Sequence, residues 1–413
     1  GFSPHEAIEE AKRCLHCKIP QCKKGCPIGN DIPDFVHELS MGNMGAAMSI
    51  INAKSNLPAI CGRVCPHEKQ CQGNCVLGKK GKPVQIGKLE QFIADFDTKM
   101  NLSREMLPQK TRGRVAVIGS GPAGLTVAGD LARQGFNVTI FEGQAEPGGV
   151  LMYGIPEYRL PKSVVRDEVA KIAALGVQFI TNCMVGENNV TIDSLFRAGY
   201  DAIFMGTGTS VPQNMDSTPG SKLHGVSQST YFLHNVNAYN EGALTRDMVP
   251  LRDGEKVGVI GGGNVSMDAV RTAKRLGAKK VSILYRRRRN DMTALPGEIE
   301  GAVAEGIEIV TLKAPASLDV GEDHKIHGIY ATPQMISAIR DGRASVKPTG
   351  EPDVYIPCDI LIKAIGQDIE SGHFEKAGIP VSRGKIVTLK SEEIVPGDIV
   401  VLEAGDSVPA DGR

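Results

Sequence analysis

Eight cysteines fall within the first 75 residues, spaced Cys14-x2-Cys17-x4-Cys22-x3-Cys26-Pro27, then Cys61-x3-Cys65-Pro66 and Cys71-x3-Cys75. Only Cys183 and Cys358 lie beyond them. A thiolate carries a diffuse, polarisable charge that suits soft metals, and cubane iron–sulfur clusters take three or four such ligands. The cysteine before proline in the first run fits a spacing in which that residue serves a second cluster. Zinc favours paired C-x2-C knuckles, and only Cys14 and Cys17 make one. A disulfide knot also uses an even count, yet the opening Gly1-Phe2-Ser3-Pro4-His5-Glu6 is polar and shows no secretory apolar segment. The spacing therefore favours iron–sulfur over zinc, and zinc over disulfides.

Lys plus Arg and Asp plus Glu both number 47, so net charge is near zero. That argues against nucleic acid or an anionic membrane as main partner. No apolar run approaches the ~20 residues that cross a bilayer. Free thiolates require a reducing compartment, so a cytoplasmic location is expected. The chain opens on Gly rather than Met, which suggests that a few residues preceded it. Its 413 residues suffice for two or three domains.

Residues 1–108 read as helical, with apolar residues at helical spacing over His5 to Leu15 and Ile32 to Ile51. Asp31 before Ile32-Pro33 suggests an N-cap followed by an early proline. From Arg114-Val115-Ala116-Val117-Ile118 to about residue 365, strand-like and helical stretches alternate, which implies α/β units around parallel sheets.

Two glycine-rich turns punctuate this part. The first reads Val117-Ile118-Gly119-Ser120-Gly121-Pro122-Ala123-Gly124. Gly119 permits the tight turn, Gly121 lets backbone approach a pyrophosphate, and Gly124 lets helix pack on strand. The following helix offers its N-terminus to phosphate. A second strand, Asn137 to Phe141, ends at Glu142, where a ribose-binding carboxylate is expected. The second turn reads Gly261-Gly262-Gly263-Asn264-Val265-Ser266, with Ser266 in place of a third glycine. Its second strand, Val281 to Tyr285, runs into Arg286-Arg287-Arg288-Arg289. Guanidinium forks bind a 2′-phosphate that a carboxylate would repel, so NADP(H) is expected over NAD(H). A solvated basic loop is the bland alternative.

Taken together, these segments resemble the small (β) subunit family of NADPH-dependent glutamate synthase. Relatives include ferredoxin:NADP transhydrogenase and sulfide dehydrogenase subunits and the amino-terminal half of dihydropyrimidine dehydrogenase. Supporting segments are Cys61-Gly62-Arg63-Val64-Cys65-Pro66, Pro147-Gly148-Gly149-Val150-Leu151-Met152-Tyr153-Gly154-Ile155-Pro156, Tyr285-Arg286-Arg287 and Ala364-Ile365-Gly366-Gln367. The resemblance implies an α/β protein with an N-terminal α-helical iron–sulfur domain and two Rossmann-like domains, the NADP domain inserted in the FAD domain. The implied boundaries are 1–108 for two 4Fe–4S clusters, 109–250 for the first FAD part, 251–365 for NADP(H), 366–387 for the return to the FAD domain, and 388–413 for an atypical tail.

By the same resemblance, Cys14, Cys17, Cys22 and Cys75 hold one cluster. Cys26, Cys65 and Cys71 hold the other with Glu90, leaving Cys61 spare. FAD would lie against Gly148 and Gly149 as well as the first turn, and NADP(H) against the second turn with Arg286 and Arg287. Electrons would pass from NADPH through FAD and the clusters to a larger synthase or dehydrogenase subunit in a hetero-oligomer. The chemistry then needs no acid–base residue, because the cofactors carry it. A bifurcating transhydrogenase or sulfide dehydrogenase subunit is the alternative within the class; a truncated, non-catalytic iron–sulfur scaffold is the alternative outside it. A disulfide reductase needs a cysteine pair beside the flavin, whereas Cys183 and Cys358 are isolated and read as core residues.

From about Thr388 the chain departs from that family. Ile394 to Arg413 instead resembles the actuator-domain segment of P-type ATPases, without the phosphorylated-Asp motif or membrane helices. Asp406 is the candidate to replace the family's FAD-contacting Asp.

Overall fold

The computed structural model describes residues 1–102, 107–186, 190–209, 225–340, 342–368, 372–376, 378–382 and 385–386, with 211–213, 215, 218 and 223. Two compact units form. One comprises Gly1–Met152, Glu157–Gly208 and Glu370–Arg413; the other comprises Tyr153–Pro156 and Thr209–Ile369.

The first unit opens with six helices: α1 (Pro4–Lys12), α2 (Gln21–Lys24), α3 (Ile32–Ser40), α4 (Met44–Asn52), α5 (Pro58–Val64) and α6 (Ile86–Met100). Ser3 caps α1 reciprocally with Glu6. The helical spacing over Ile32 to Ile51 belongs to two helices, α3 and α4, between which Gly42 turns the chain at φ +81°. Asp31 does occupy the N-cap of α3, yet its carboxylate makes no cap bond and pairs with Lys23 instead. Phe35, Leu39, Met48, Ile51, Leu89 and Ile93 fill the centre of this layer. Full burial of side chains this size contributes about 1.5–3 kcal/mol each.

The rest of the first unit is a parallel sheet in the order β3-β2-β1-β4. Its elements are β1 (Arg114–Ile118), α7 (Pro122–Arg133), β2 (Asn137–Phe141), α8 (Val150–Tyr153), α9 (Lys162–Ala174), β3 (Gln178–Ile180), α10 (Ile192–Arg197) and β4 (Ala202–Met205). Every residue of β1 and β2 after the first is buried, as a strand covered on both faces requires. Asn56 ties the helical layer to this sheet by bonding Asp130, the Thr126 carbonyl and Arg133 on α7.

The second unit contains β5 (Val211–Pro212), β6 (Val226–Gln228), α11 (Ser229–Asn240), β7 (Lys256–Ile260), α12 (Asn264–Arg275), β8 (Lys280–Tyr285), α13 (Pro296–Ala304) and β9 (Glu308–Thr311). It continues with β10 (Lys313–Val320), β11 (Ile326–Arg340), β12 (Arg343–Pro348), β13 (Val354–Pro357), β14 (Ile360–Lys363) and β15 (Gln367–Asp368). Its main sheet is parallel, ordered β6-β14-β7-β8-β9. Here the expected α/β alternation stops short: β10 to β13 form an antiparallel four-stranded sheet instead. The architecture is thus a helical amino-terminal region followed by two Rossmann-like sheets. No helix among the described residues is long and apolar enough to cross a membrane.

Candidate functional site

In the first unit, β1 delivers the chain into Gly119-Ser120-Gly121, and α7 begins one residue later. Gly119 has φ +95°, and a Cβ there would sit 2.4 Å from the Gly206 carbonyl oxygen. A Cβ on Gly124 would lie 2.0 Å from the Gly119 carbonyl oxygen. Both positions therefore require glycine for steric reasons. Gly121 differs, because a Cβ there would meet nothing within 4 Å. That open space lies at the start of α7, where Gly121 caps without a side-chain bond and Pro122 and Ala123 are exposed. Unpaired backbone N–H groups beside open space are what a pyrophosphate needs.

Glu142, at the end of β2, is buried and organises this turn. Its carboxylate accepts from the Ser120 N–H at 2.9 Å, from the Ser120 hydroxyl, and from the Gln144 N–H at 2.8 Å. The Ser120 hydroxyl in turn accepts from the Gly148 N–H at 2.9 Å. Gly149, at φ +54°, lies against Gly121, since a Cβ on it would come 2.8 Å from the Gly121 Cα. The structure thus brings Gly119, Gly121, Pro122, Ala123, Gly124, Glu142, Gly148 and Gly149 into one neighbourhood. Two polar groups there carry no signal in the sequence. Ser120 looks like a spacer between glycines, and Lys162 is fully buried with its Nζ donating to the Leu151 carbonyl at 2.9 Å.

The second unit repeats the strand–turn–helix with other partners. Gly261 has φ +142°, and a Cβ on it would lie 2.3 Å from the Ala364 carbonyl oxygen and 2.5 Å from the Ser266 Oγ. Ser266 therefore does occupy the close-packing position of a third glycine, and its buried Oγ has no hydrogen-bond partner among the described residues. The Tyr285 ring covers Gly262, coming within 2.6 Å of a Cβ built there. Gly263 stays open on that side, its nearest neighbour being the Thr293 Oγ1 at 3.5 Å. Asn264 accepts the Leu295 N–H at 2.9 Å, and Val265 is exposed on the first turn of α12. Beyond β8, Arg286 is exposed, while the Arg287 Nε donates to the Ala344 carbonyl at 2.6 Å. Both turns suit a dinucleotide, one closed by a buried acid and the other by an aromatic ring and arginines.

The amino-terminal region corrects the expectation of two 4Fe–4S clusters. Among the described residues, no group of three or more His, Cys, Asp or Glu side chains is placed to hold a metal ion. Cys14, Cys17, Cys22 and Cys75 do border one cavity, whose other walls include Leu15, Pro20, Val76, Leu77 and Val84. Cys14, Cys22, Cys26, Cys71 and Cys75 pack with the helical core. Burial pushes the Cys22 thiol up to about 11, and burial followed by the Glu90 charge pushes Cys71 up to about 12. Cys14 is raised for the same reason, mainly burial. Hydrogen bonding to Cys65 and then burial hold Cys61 well above the usual thiol range. Burial, then Cys61 and Glu168, drive the Glu90 carboxyl far up as well. Cys71 and Glu90 are buried, Cys26 packs against the helical core and Cys65 is half-buried, and no step of the chemistry is routed through a cluster.

Comparison with known proteins places these features in a lineage. The model of the pyridine nucleotide-disulphide oxidoreductase family matches residues 113–397, and that described as dihydropyrimidine dehydrogenase domain II, 4Fe-4S cluster, matches residues 1–102. The fold and its paired turns define a flavin- and NAD(P)H-linked oxidoreductase architecture, and the chain belongs to the pyridine nucleotide-disulphide oxidoreductase family. Its relatives include the glutamate synthase [NADPH] small chain of Halomonas elongata, 34% identical over 93% of this chain and 82% of that protein. The corresponding small chain of Escherichia coli is 33% identical over 88% of this chain and 78% of that protein. The putative oxidoreductase UacF of Escherichia coli is 36% identical over 89% of this chain, which spans only 58% of that longer protein.

Among solved structures, Mycobacterium tuberculosis FprA in complex with NADPH superposes with a TM-score of 0.55 at 18% identity, over 70% of this chain and 77% of that one. At that identity the likeness is one of fold. The oxidoreductase family match runs through residue 397, into the stretch whose sequence resembles an ATPase actuator segment, so the actuator resemblance is not upheld. Residues 388–413, Asp406 included, lie outside the described residues.

Proposed function

We propose that this chain is an NADPH-dependent flavoprotein oxidoreductase that takes electrons from NADPH and delivers them to a larger partner subunit, as the small chain of a glutamate synthase-type complex. The carrying observation is the contrast between the two turns: a buried Glu142 ends the second strand of one, and a run of four arginines, Arg286, Arg288 and Arg289 of them exposed, follows that of the other. FAD in the first turn supplies a two-electron acceptor that also releases electrons singly. In this reading Gly119, Gly121, Pro122, Ala123 and Gly124 bind its pyrophosphate, Glu142 its ribose, and Gly148 and Gly149 lie along the flavin side. Gly261, Gly262, Gly263, Asn264 and Val265 bind the NADP(H) pyrophosphate, while Arg286 and Arg287 face its 2′-phosphate. The relatives named as NADPH-linked small chains support the choice of cofactor and of a partner subunit.

The residues position and select; they move no proton themselves. The test is to release and identify the flavin of the purified protein. One FAD per chain, lost on Glu142→Ala while the fold is kept, is the expected result. FMN, or no flavin after reconstitution with FAD, would contradict the proposal.

A further inference from the structure

Four consecutive arginines follow β8, but they are not equivalent. The Arg288 guanidinium lies in a two-pronged pair with Asp291, Nε to Oδ2 at 2.8 Å and Nη2 to Oδ1 at 3.0 Å. The same carboxylate accepts the Arg288 N–H at 3.1 Å, so Asp291 grips that residue at three points. Arg287 leans the other way, onto the Ala344 carbonyl of β12. Arg286 and Arg289 are exposed, and their side chains make no hydrogen bond or ion pair among the described residues.

The turn carrying them is also anchored to the glycine turn. The Tyr285 hydroxyl donates to the Asp291 carbonyl at 2.7 Å while its ring covers Gly262. The Thr293 and Ala294 N–H groups both donate to the Gly262 carbonyl at 3.0 Å, and the Leu295 N–H donates to Asn264. Residues 291–295 thus form a strap running from the arginine turn to the phosphate turn. Its anchors are mostly backbone bonds and one tyrosine, so it stays in register without the Arg288–Asp291 pair.

From this geometry we propose that Arg289, and not Arg288, joins Arg286 and Arg287 in recognising the 2′-phosphate of the dinucleotide, with Tyr285 as the positioning residue that holds their turn against Gly262. The inference rests on the NADP(H) reading above. A guanidinium already engaged by a carboxylate on both prongs has its charge neutralised and its donors filled. An exposed, unengaged one pays no such exchange on meeting a phosphate.

The test compares binding of 2′,5′-ADP and 5′-AMP to the whole protein, because their affinity ratio isolates the 2′-phosphate. Binding of 5′-AMP reports that the glycine turn is intact. Wild-type protein without a preference for 2′,5′-ADP would contradict the NADP(H) reading itself. With the preference present, Arg289→Gln is expected to reduce the ratio about tenfold or more, leaving 5′-AMP binding unchanged. The double variant Arg288→Gln with Asp291→Asn conserves net charge and should keep the ratio within about twofold. Tyr285→Phe should lower the ratio less than Arg289→Gln does. An unchanged ratio in Arg289→Gln, or an equal loss in the double variant, would overturn the assignment.

Discussion

The two glycine turns share a backbone and differ in what closes them. In the first, a buried carboxylate gathers three donors, so Glu142, Ser120 and Gly148 form a polar knot beneath the turn. In the second, an aromatic ring lies over Gly262 and backbone bonds from residues 293 and 294 do the fastening, which leaves the charged side chains outside. One turn thus commits its charge to structure, and the other leaves Arg286 and Arg289 exposed. A single strand–turn–helix scaffold can be made selective by the residues just past its second strand, without altering the turn itself.

The hardest test of the shared backbone is a branched side chain at the first glycine. Gly119→Val and Gly261→Val each face a carbonyl oxygen within 2.4 Å and a positive φ. Each should cost about 3 kcal/mol or more in its own unit, read by denaturant unfolding. Tolerance at either site would break the equivalence of the two turns.

The difference between the closures should appear next. Glu142→Ala leaves the buried N–H and hydroxyl of Ser120 without their carboxylate acceptor and is expected to cost about 2–4 kcal/mol. Tyr285→Phe removes one hydroxyl bond and keeps the ring, costing about 1 kcal/mol. Equal losses would mean that the polar knot is no more structural than the aromatic lid.

A third test uses buried acids that belong to neither turn. Burial, then neighbouring Cys61 and Glu168, raise Glu90 well above its ordinary 4.5, and burial also raises Glu168. A carboxyl raised in the folded state contributes stability that is complete below the unfolded value and lost as pH rises through the folded one. Wild-type stability should therefore fall as pH climbs above the ordinary carboxylate range, and Glu90→Gln should flatten part of that decline. A variant with the wild-type slope would show that Glu90 is not the group responsible.

Much of the fold was legible in the residues. The strands Arg114–Ile118 and Asn137–Phe141 stood out as apolar runs, and the glycines marked their own turns. Ser266 as a stand-in glycine also followed from its size and place, and the structure packs it against Gly261. Ser120 escaped notice because a serine between glycines carries no signature of a buried bond. Arg288 could not be told from Arg289, because pairing with Asp291 depends on how a three-residue turn closes. The antiparallel sheet from Lys313 to Pro357 was missed because its apolar residues read equally well as strands of an α/β alternation.

The eight cysteines mislead in the opposite direction. Their spacing speaks of metal, whereas the described side chains form no metal-holding group and several thiols sit raised by burial. Spacing along the chain limits which sulfurs can meet, but the packing of the helices decides which side chains do.

The most direct test of the central claim is anaerobic reduction of the FAD-loaded protein by NADPH and, separately, by NADH, followed at the oxidised-flavin absorbance. Bleaching by NADPH is expected at concentrations about tenfold or more below those needed for NADH, with the preference lost in Arg286→Gln. Equal response to both nucleotides, or no bleaching by either, would contradict it.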